Sequence, residues 1–143
     1  MKRGVLTDND VEDYYEYDDY AGELAYRMSE EGKPVYTLSH NGGKAFADIT
    51  EKPDTLFINY LASTGKGSGT ELLAQLSERA SSKGLSLEWV ADEKSAQQYY
   101  EHIGVQKYGT AKRVGRLVNV RYTIRPDKLN EFSSHLRTRK GGV

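Results

Sequence analysis

Apolar and polar positions along the chain fall into segments with two periods, one helical and one extended. Over residues 7–31 the spacing of Val11, Tyr14, Tyr15, Leu24, Tyr26 and Met28 predicts helix in two pieces. Thr7 or Asp8 stands as the N-cap, and Gly32 and Pro34 provide the stop. Two strand-like runs, 35–39 and 44–49, flank His40-Asn41-Gly42-Gly43, whose Asn and Gly residues tolerate positive φ, so a hairpin is expected. After a turn at Lys52-Pro53-Asp54, residues 55–62 read as a strand buried on both faces. Three antiparallel strands thus precede a glycine-rich stretch.

Residues 70–83 place Leu72, Leu73, Leu76 and Ala80 on one stripe, with Gly84 as the C-cap of an amphipathic helix. A short strand at 85–90, a helix at 94–103 ended by Gly104, and strand-like runs at 105–114 and 117–124 follow, with a turn at Gly115 between those runs. Pro126 can open a final helical turn or two within 127–137, ahead of a polar tail, Arg139-Lys140-Gly141-Gly142-Val143. One helix-linked crossover in a sheet otherwise built of hairpins predicts a mixed α/β sheet with helices packed on it.

The length, 143 residues, fits one compact domain with its own core. No cysteine is present, and the three histidines (His40, His102, His135) lack ligand spacing, so no metal site is expected. No apolar run approaches the length of a membrane span, and Met1-Lys2-Arg3-Gly4 leads into acidic residues rather than a signal-peptide core. A soluble, cytoplasmic protein is the expectation. The net charge of -1 conceals an asymmetry. Asp8, Asp10, Glu12, Asp13, Glu16, Asp18 and Asp19 crowd one end, whereas Lys107, Lys112, Arg113, Arg116, Arg121, Arg125, Lys128, Arg137, Arg139 and Lys140 occupy the other.

Chemistry concentrates at Thr64-Gly65-Lys66-Gly67-Ser68-Gly69-Thr70, between a strand and a helix. A glycine-rich turn at that junction brings bare N–H groups and the positive end of a helix dipole to one point, which suits a phosphate. Gly65, Gly67 and Gly69 allow close approach of an anion, Lys66 adds charge, and Ser68 and Thr70 carry hydroxyls. The Walker A spacing and the dinucleotide Gly-x-Gly-x-x-Gly spacing are both absent.

This loop resembles the Gln/Arg-x-x-Gly-x-Gly/Ala loop of the GNAT superfamily of acetyltransferases in all but its first residue, where Thr64 stands. Ala96-Gln97-Gln98-Tyr99-Tyr100-Glu101-His102-Ile103-Gly104-Val105 is similar to that family's later helix motif, and the two occur in the family's order. The resemblance spans residues 35–124. It implies a GNAT-like fold, a mixed and mostly antiparallel sheet of six to seven strands with helices on both faces. Residues 1–143 would then form one acetyltransferase-like domain: 1–34 the helical acceptor side, 35–104 the hairpins, pyrophosphate loop and cofactor helices, and 105–143 the C-terminal hairpin and basic tail.

The resemblance further implies acetyl-CoA as cofactor. Main-chain groups near Leu61 and Ser63 would pair with its pantetheine, and residues Gly65, Lys66, Gly67, Ser68, Gly69 and Thr70 would cap its pyrophosphate. Tyr100 falls where many members place the phenol that protonates the departing thiolate; the competing reading is an aromatic on the core face of its helix. Strand 55–62 lacks the glutamate that many members use as base. Glu93 is the candidate, with Asp92, Glu88 or a water relay left open, and an exposed carboxylate at a helix start is its alternative role.

The acid- and tyrosine-rich run Glu12-Asp13-Tyr14-Tyr15-Glu16-Tyr17-Asp18-Asp19-Tyr20 would draw a cationic amine: a protein lysine, a polyamine or a basic small molecule. Nucleic acid ranks below acyl transfer as a partner of the basic third, because Tyr108, Tyr122 and Phe132 give little aromatic interleaving. The alternative to an enzyme is a catalytically degenerate structural or interaction module. The chain also looks like short acetyltransferase-like proteins of bacteriophages, which would place it in a host cytoplasm or a virion. Oligomeric state is not written in the sequence.

Overall fold

The computed structural model describes residues 1–115 and 119–139. Its elements run β1 (Lys2–Gly4), α1 (Asp8–Tyr17), α2 (Asp19–Glu30), β2 (Val35–His40), β3 (Gly43–Glu51), β4 (Thr55–Ser63), α3 (Ser68–Ser82), β5 (Ser86–Ala91), α4 (Lys94–His102), β6 (Thr110–Val114), β7 (Asn119–Ile124) and α5 (Leu129–Thr138). The seven strands form one sheet in the order β1-β2-β3-β4-β5-β7-β6. The β4–β5 pair is parallel, joined by α3, and β1–β2, β2–β3, β5–β7 and β6–β7 are antiparallel. This is the mixed, mostly antiparallel α/β architecture expected. By its contacts the described chain divides into two compact units, 1–49 with 60–73 and 50–59 with 74–139.

In the first unit, α1 begins where the chemistry of Thr7 demands. Its hydroxyl accepts from the Asp10 N–H at 3.2 Å, and the Asp10 carboxylate accepts from the Thr7 N–H at 2.9 Å, a reciprocal capping box. Asp18 ends α1 and starts α2 in the same residue, accepting from the Ala21 N–H at 3.1 Å. The faces so aligned bury Val11, Tyr14, Ala21, Leu24, Ala25 and Met28 with Val35 and Phe46 in one cluster. Tyr14 meets Phe46 edge-on, with ring centroids 5.1 Å apart. In the second unit, β5 alternates as its sequence requires, burying Leu87, Trp89 and Ala91. α5 buries Leu129, Phe132, Ser133 and Leu136, a stripe at helical spacing.

Several expectations are corrected. β1 was not foreseen; it pairs with β2 through Lys2↔Thr37 to Gly4↔Val35 although all three of its residues are exposed. β4 is not buried on both faces: Leu56 and Ile58 are buried while Asn59 is exposed. The run 105–114 is a strand only from Thr110, because bonds to the Gly104 and Val105 carbonyls wind residues 105–107 into a short 3-10 turn. The final helix is ten residues long rather than a turn or two. Arg116, the start of the strand expected at 117, and the tail from Lys140 lie outside the described residues. Among those described, no helix is long and apolar enough to cross a membrane.

Burial pushes the Tyr14 phenol up, and the Asp10 and Asp13 carboxylates add to the shift. The folded chain therefore holds this proton more tightly than the unfolded chain does. Stability attributable to it is intact below the ordinary phenol value of about 10 and is lost as pH rises through the higher folded value. Denaturant unfolding across pH 8 to 12 (roughly the span of phenol ionisation) should show this decline, and Tyr14→Phe should make it shallower.

Candidate functional site

The glycine-rich loop lies within the first unit, and its backbone departs from ordinary geometry in three consecutive residues. Gly65, Lys66 and Gly67 have φ of 91°, 59° and 79°. Glycine tolerates this region freely, but a lysine there is strained by roughly 1 kcal/mol, so Lys66 stands where glycine would be easier. Its side chain is exposed and, among the described residues, its ammonium has no ion-pair partner. A strained, unpaired cation at a helix start is the kind of outlier that function explains better than stability does.

The loop is held by the β2–β3 hairpin. The Thr64 N–H donates to the Lys44 carbonyl at 2.8 Å, and the Lys44 N–H donates to the Thr64 hydroxyl at 2.9 Å. Ser68 is fully buried, and its hydroxyl is shared between the Lys44 carbonyl at 2.9 Å and the Gly65 carbonyl at 2.6 Å. The Ser68 hydroxyl thus braces the loop rather than pointing to a ligand. Gly43 makes the approach possible: a Cβ there would stand 2.5 Å from the Gly65 carbonyl oxygen. Gly69 likewise lies against β4, where a Cβ would come within 3.0 Å of the Ser63 hydroxyl and 3.8 Å of the Leu61 side chain.

This bracing uses carbonyls and hydroxyls but leaves amides. The Ser68 and Glu71 N–H groups close onto the Gly65 and Gly67 carbonyls. Among the described residues, the N–H groups of Gly65, Lys66, Gly67 and Gly69 have no hydrogen-bond partner. Gly69 is a buried residue, and an unmatched buried amide costs about as much as a lost hydrogen bond unless something fills it. Four unmatched amides at the electropositive start of a fifteen-residue helix suit a diphosphate. Thr70, also buried, has a partner of its own within the protein.

Lys44 carries no local signal of its role. Its ammonium contacts Asp10 at 3.1 Å and Asp13 at 2.5 Å, tying α1 to the residue whose main chain braces the loop. Burial alone would raise the Asp10 carboxyl, but hydrogen bonds from Thr7 and Lys44 outweigh it and hold the group below the ordinary carboxylate range. Asp13, of the run expected to attract a cation, and the nearby Asp10 are therefore already paired. Tyr17, at the end of α1, sets its hydroxyl 3.0 Å from where a Cβ on Gly65 would be.

The second unit holds Tyr100 and Glu93. Tyr100 sits on α4 in a ring cluster, with centroids 5.2 Å from Trp89, 5.4 Å from Tyr99 and 5.1 Å from Tyr122. Burial, then the neighbouring Tyr99 and Tyr122 phenols, push its own phenol up. α4 ends as the motif requires: Gly104 takes φ 81°, and the Ile103 carbonyl accepts from His135 Nε2 at 2.8 Å. Glu93 is the exposed N-cap of α4 and makes no capping hydrogen bond with its side chain. Asp92 is also exposed. Glu88 is half-buried and held by Arg121 at 3.4 Å and the Thr123 hydroxyl at 3.4 Å. Along β4 the parallel pairing with β5 runs from Thr55↔Ser86 to Ile58↔Trp89, short of Leu61 and Ser63.

A seven-stranded, mostly antiparallel sheet with one parallel crossover leading into a glycine-rich helix start is the GNAT fold, that of a large class of N-acetyltransferases. Among solved structures, the chain is similar to the ribosomal-protein-S18-alanine N-acetyltransferase from Escherichia coli, with 19% identity, 87% of this chain and 92% of that chain covered, and a TM-score of 0.51. It also matches an aminoglycoside 6'-acetyltransferase type Ii, with 15% identity, 88% and 97% covered, and a TM-score of 0.48. No protein-family model and no curated protein matches the sequence. At such identities the likeness is one of fold.

The brace makes a direct prediction. Gly43→Ala forces a Cβ against the Gly65 carbonyl, and Thr64→Val removes the acceptor for the Lys44 N–H. Each should lower unfolding stability by about 1–3 kcal/mol in denaturant titrations. Gly84→Ser, in open space at the end of α3 with φ 67°, should disturb only its own backbone.

Proposed function

We propose that this chain is an acetyl-CoA-dependent N-acetyltransferase that moves an acetyl group to a primary amine, and that the amine belongs to a cationic acceptor. The observation that carries this reading is the set of unmatched amides at Gly65, Lys66, Gly67 and Gly69, in a loop that the rest of its unit is built to hold. The fold shared with N-acetyltransferases supports it. Bound acetyl-CoA would supply the activated acetyl group.

The chain's own residues divide the remaining work. The loop amides and the Lys66 ammonium would hold the diphosphate, with Thr70 beside them and Ser68 fixing the loop's shape. The main chain at Leu61 and Ser63, past the end of the β4–β5 pairing, would meet the pantetheine amides. Tyr100 Oη would offer a proton to the sulfur, as a phenol, protonated at neutral pH, can. Glu93 has a carboxylate free of capping duty and is our candidate to take the proton of the attacking ammonium, directly or through water. Asp8, Glu12, Glu16 and Asp19 are exposed and interleaved with exposed Tyr15, Tyr17 and Tyr20, which supports a lysine, a polyamine or another basic amine as acceptor.

Acetyl-CoA at about a hundred times its Kd should add about 2.7 kcal/mol of stability, read as a raised melting temperature; no shift at millimolar ligand contradicts the reading. Thiol release with an amine panel should favour basic acceptors, and turnover confined to neutral or acidic amines would remove the acceptor assignment. Tyr100→Phe should keep the thermal shift and lower kcat by about 100-fold or more. An unchanged rate would reassign Tyr100 to packing.

A further inference from the structure

Tyr17 is the last residue of α1, which stops there because Asp18 takes an extended backbone while its N–H still closes onto the Tyr14 carbonyl at 3.0 Å. Asp10, Asp13, Tyr14 and Tyr17 fall at i, i+3, i+4 and i+7, on one face of the helix. From that face Asp10 and Asp13 reach Lys44, Tyr14 packs on Phe46, and Tyr17 meets the glycine loop itself. A Cβ on Gly65 would stand 3.0 Å from the Tyr17 hydroxyl oxygen and 3.4 Å from two carbons of its ring. Both residues belong to the first unit. Tyr15, by contrast, rests on Gly22 of α2.

Packing does not account for the hydroxyl. Tyr17 is 58% exposed, so its ring gains little from burial, and among the described residues its hydroxyl has no hydrogen-bond partner. It stands beside an unmatched donor of the loop. With the nitrogen and Cβ of one residue about 2.5 Å apart, the 3.0 Å contact keeps the Tyr17 oxygen within about 5.5 Å of the Gly65 nitrogen. Hydrogen bonds of about 2.9 Å from an amide and about 2.7 Å from a hydroxyl let donors so spaced grip one phosphate group together. Carboxylates on the same face of α1 would oppose an anion, but Asp10 and Asp13 are met by the Lys44 ammonium, and Lys66 adds a cation next to Gly65.

We propose that the Tyr17 hydroxyl is a side-chain donor to the diphosphate bound at the loop, completing a set whose other members include main-chain amides. This rests on the acetyltransferase reading and adds to it a residue from α1. A phenol suits the position. Its ring covers Gly65, which has no side chain of its own, and its hydroxyl rotates to meet an arriving acceptor. The diphosphate is then held from two sides, by the start of α3 and by the end of α1.

Tyr17→Phe isolates the claim, because it keeps the ring on Gly65 and removes only the oxygen. By calorimetry, the Kd for CoA should rise about tenfold, as expected for loss of a hydrogen bond to a charged group, while the melting temperature of the ligand-free protein stays unchanged. Inorganic pyrophosphate should compete with CoA for the wild type and lose the same factor against Tyr17→Phe. S-acetylpantetheine, which carries no phosphate, should bind both proteins alike. CoA held by Tyr17→Phe as tightly as by the wild type, or a loss shared equally by S-acetylpantetheine, overturns the assignment and leaves the transferase reading standing. CoA that binds neither protein overturns the transferase reading itself.

Discussion

The loop from Thr64 to Gly69 keeps its shape because one residue of a neighbouring hairpin holds it. The Lys44 carbonyl accepts from the Thr64 N–H and the Ser68 hydroxyl, and the Lys44 N–H returns a bond to Thr64. Gly43, beside it, has no Cβ, and that absence admits the Gly65 carbonyl. With its carbonyls and hydroxyls so engaged, the loop turns through three left-handed residues and leaves the amides of Gly65, Lys66, Gly67 and Gly69 unmatched. Preorganisation of this kind means that a bound anion would not have to order the donors it meets.

The same residue links the loop to the N-terminal helices. The Lys44 side chain joins Asp10 and Asp13 on α1, and the hydrogen bond to Asp13 leads the causes that raise the lysine's pKa above its ordinary value. Such partly exposed pairs contribute little to stability one by one. Their effect is better described as positional: the N-terminal helices and the loop brace share one residue, so a change in α1 is felt at Lys44.

Much of this was written plainly in the sequence. The cap at Thr7 or Asp8, the helical stretch in two pieces, the hairpin turn at Asn41-Gly42, the amphipathic stripe of α3 and the glycine stop at Gly104 are local signals, and local chemistry decides them. What was hidden depends on distant partners. β1 has no apolar pattern and exists through its pairing with Val35 to Thr37. Residues 105–107 carry a strand-like composition but are wound by bonds to Gly104 and Val105. The role of Lys44 rests on carboxylates more than thirty residues away, and Ser68 looked like a ligand because its hydroxyl's inward turn needs the fold to be seen.

The central claim is that the amides of positions 65, 66, 67 and 69 grip a diphosphate, and a crystal structure with CoA bound tests it most directly. The account predicts phosphate oxygens within hydrogen-bond distance of those four nitrogens, with the Lys44, Thr64 and Ser68 bonds unchanged. A diphosphate seated elsewhere, or a loop that must break its bonds to Lys44 before any ligand enters, would contradict it.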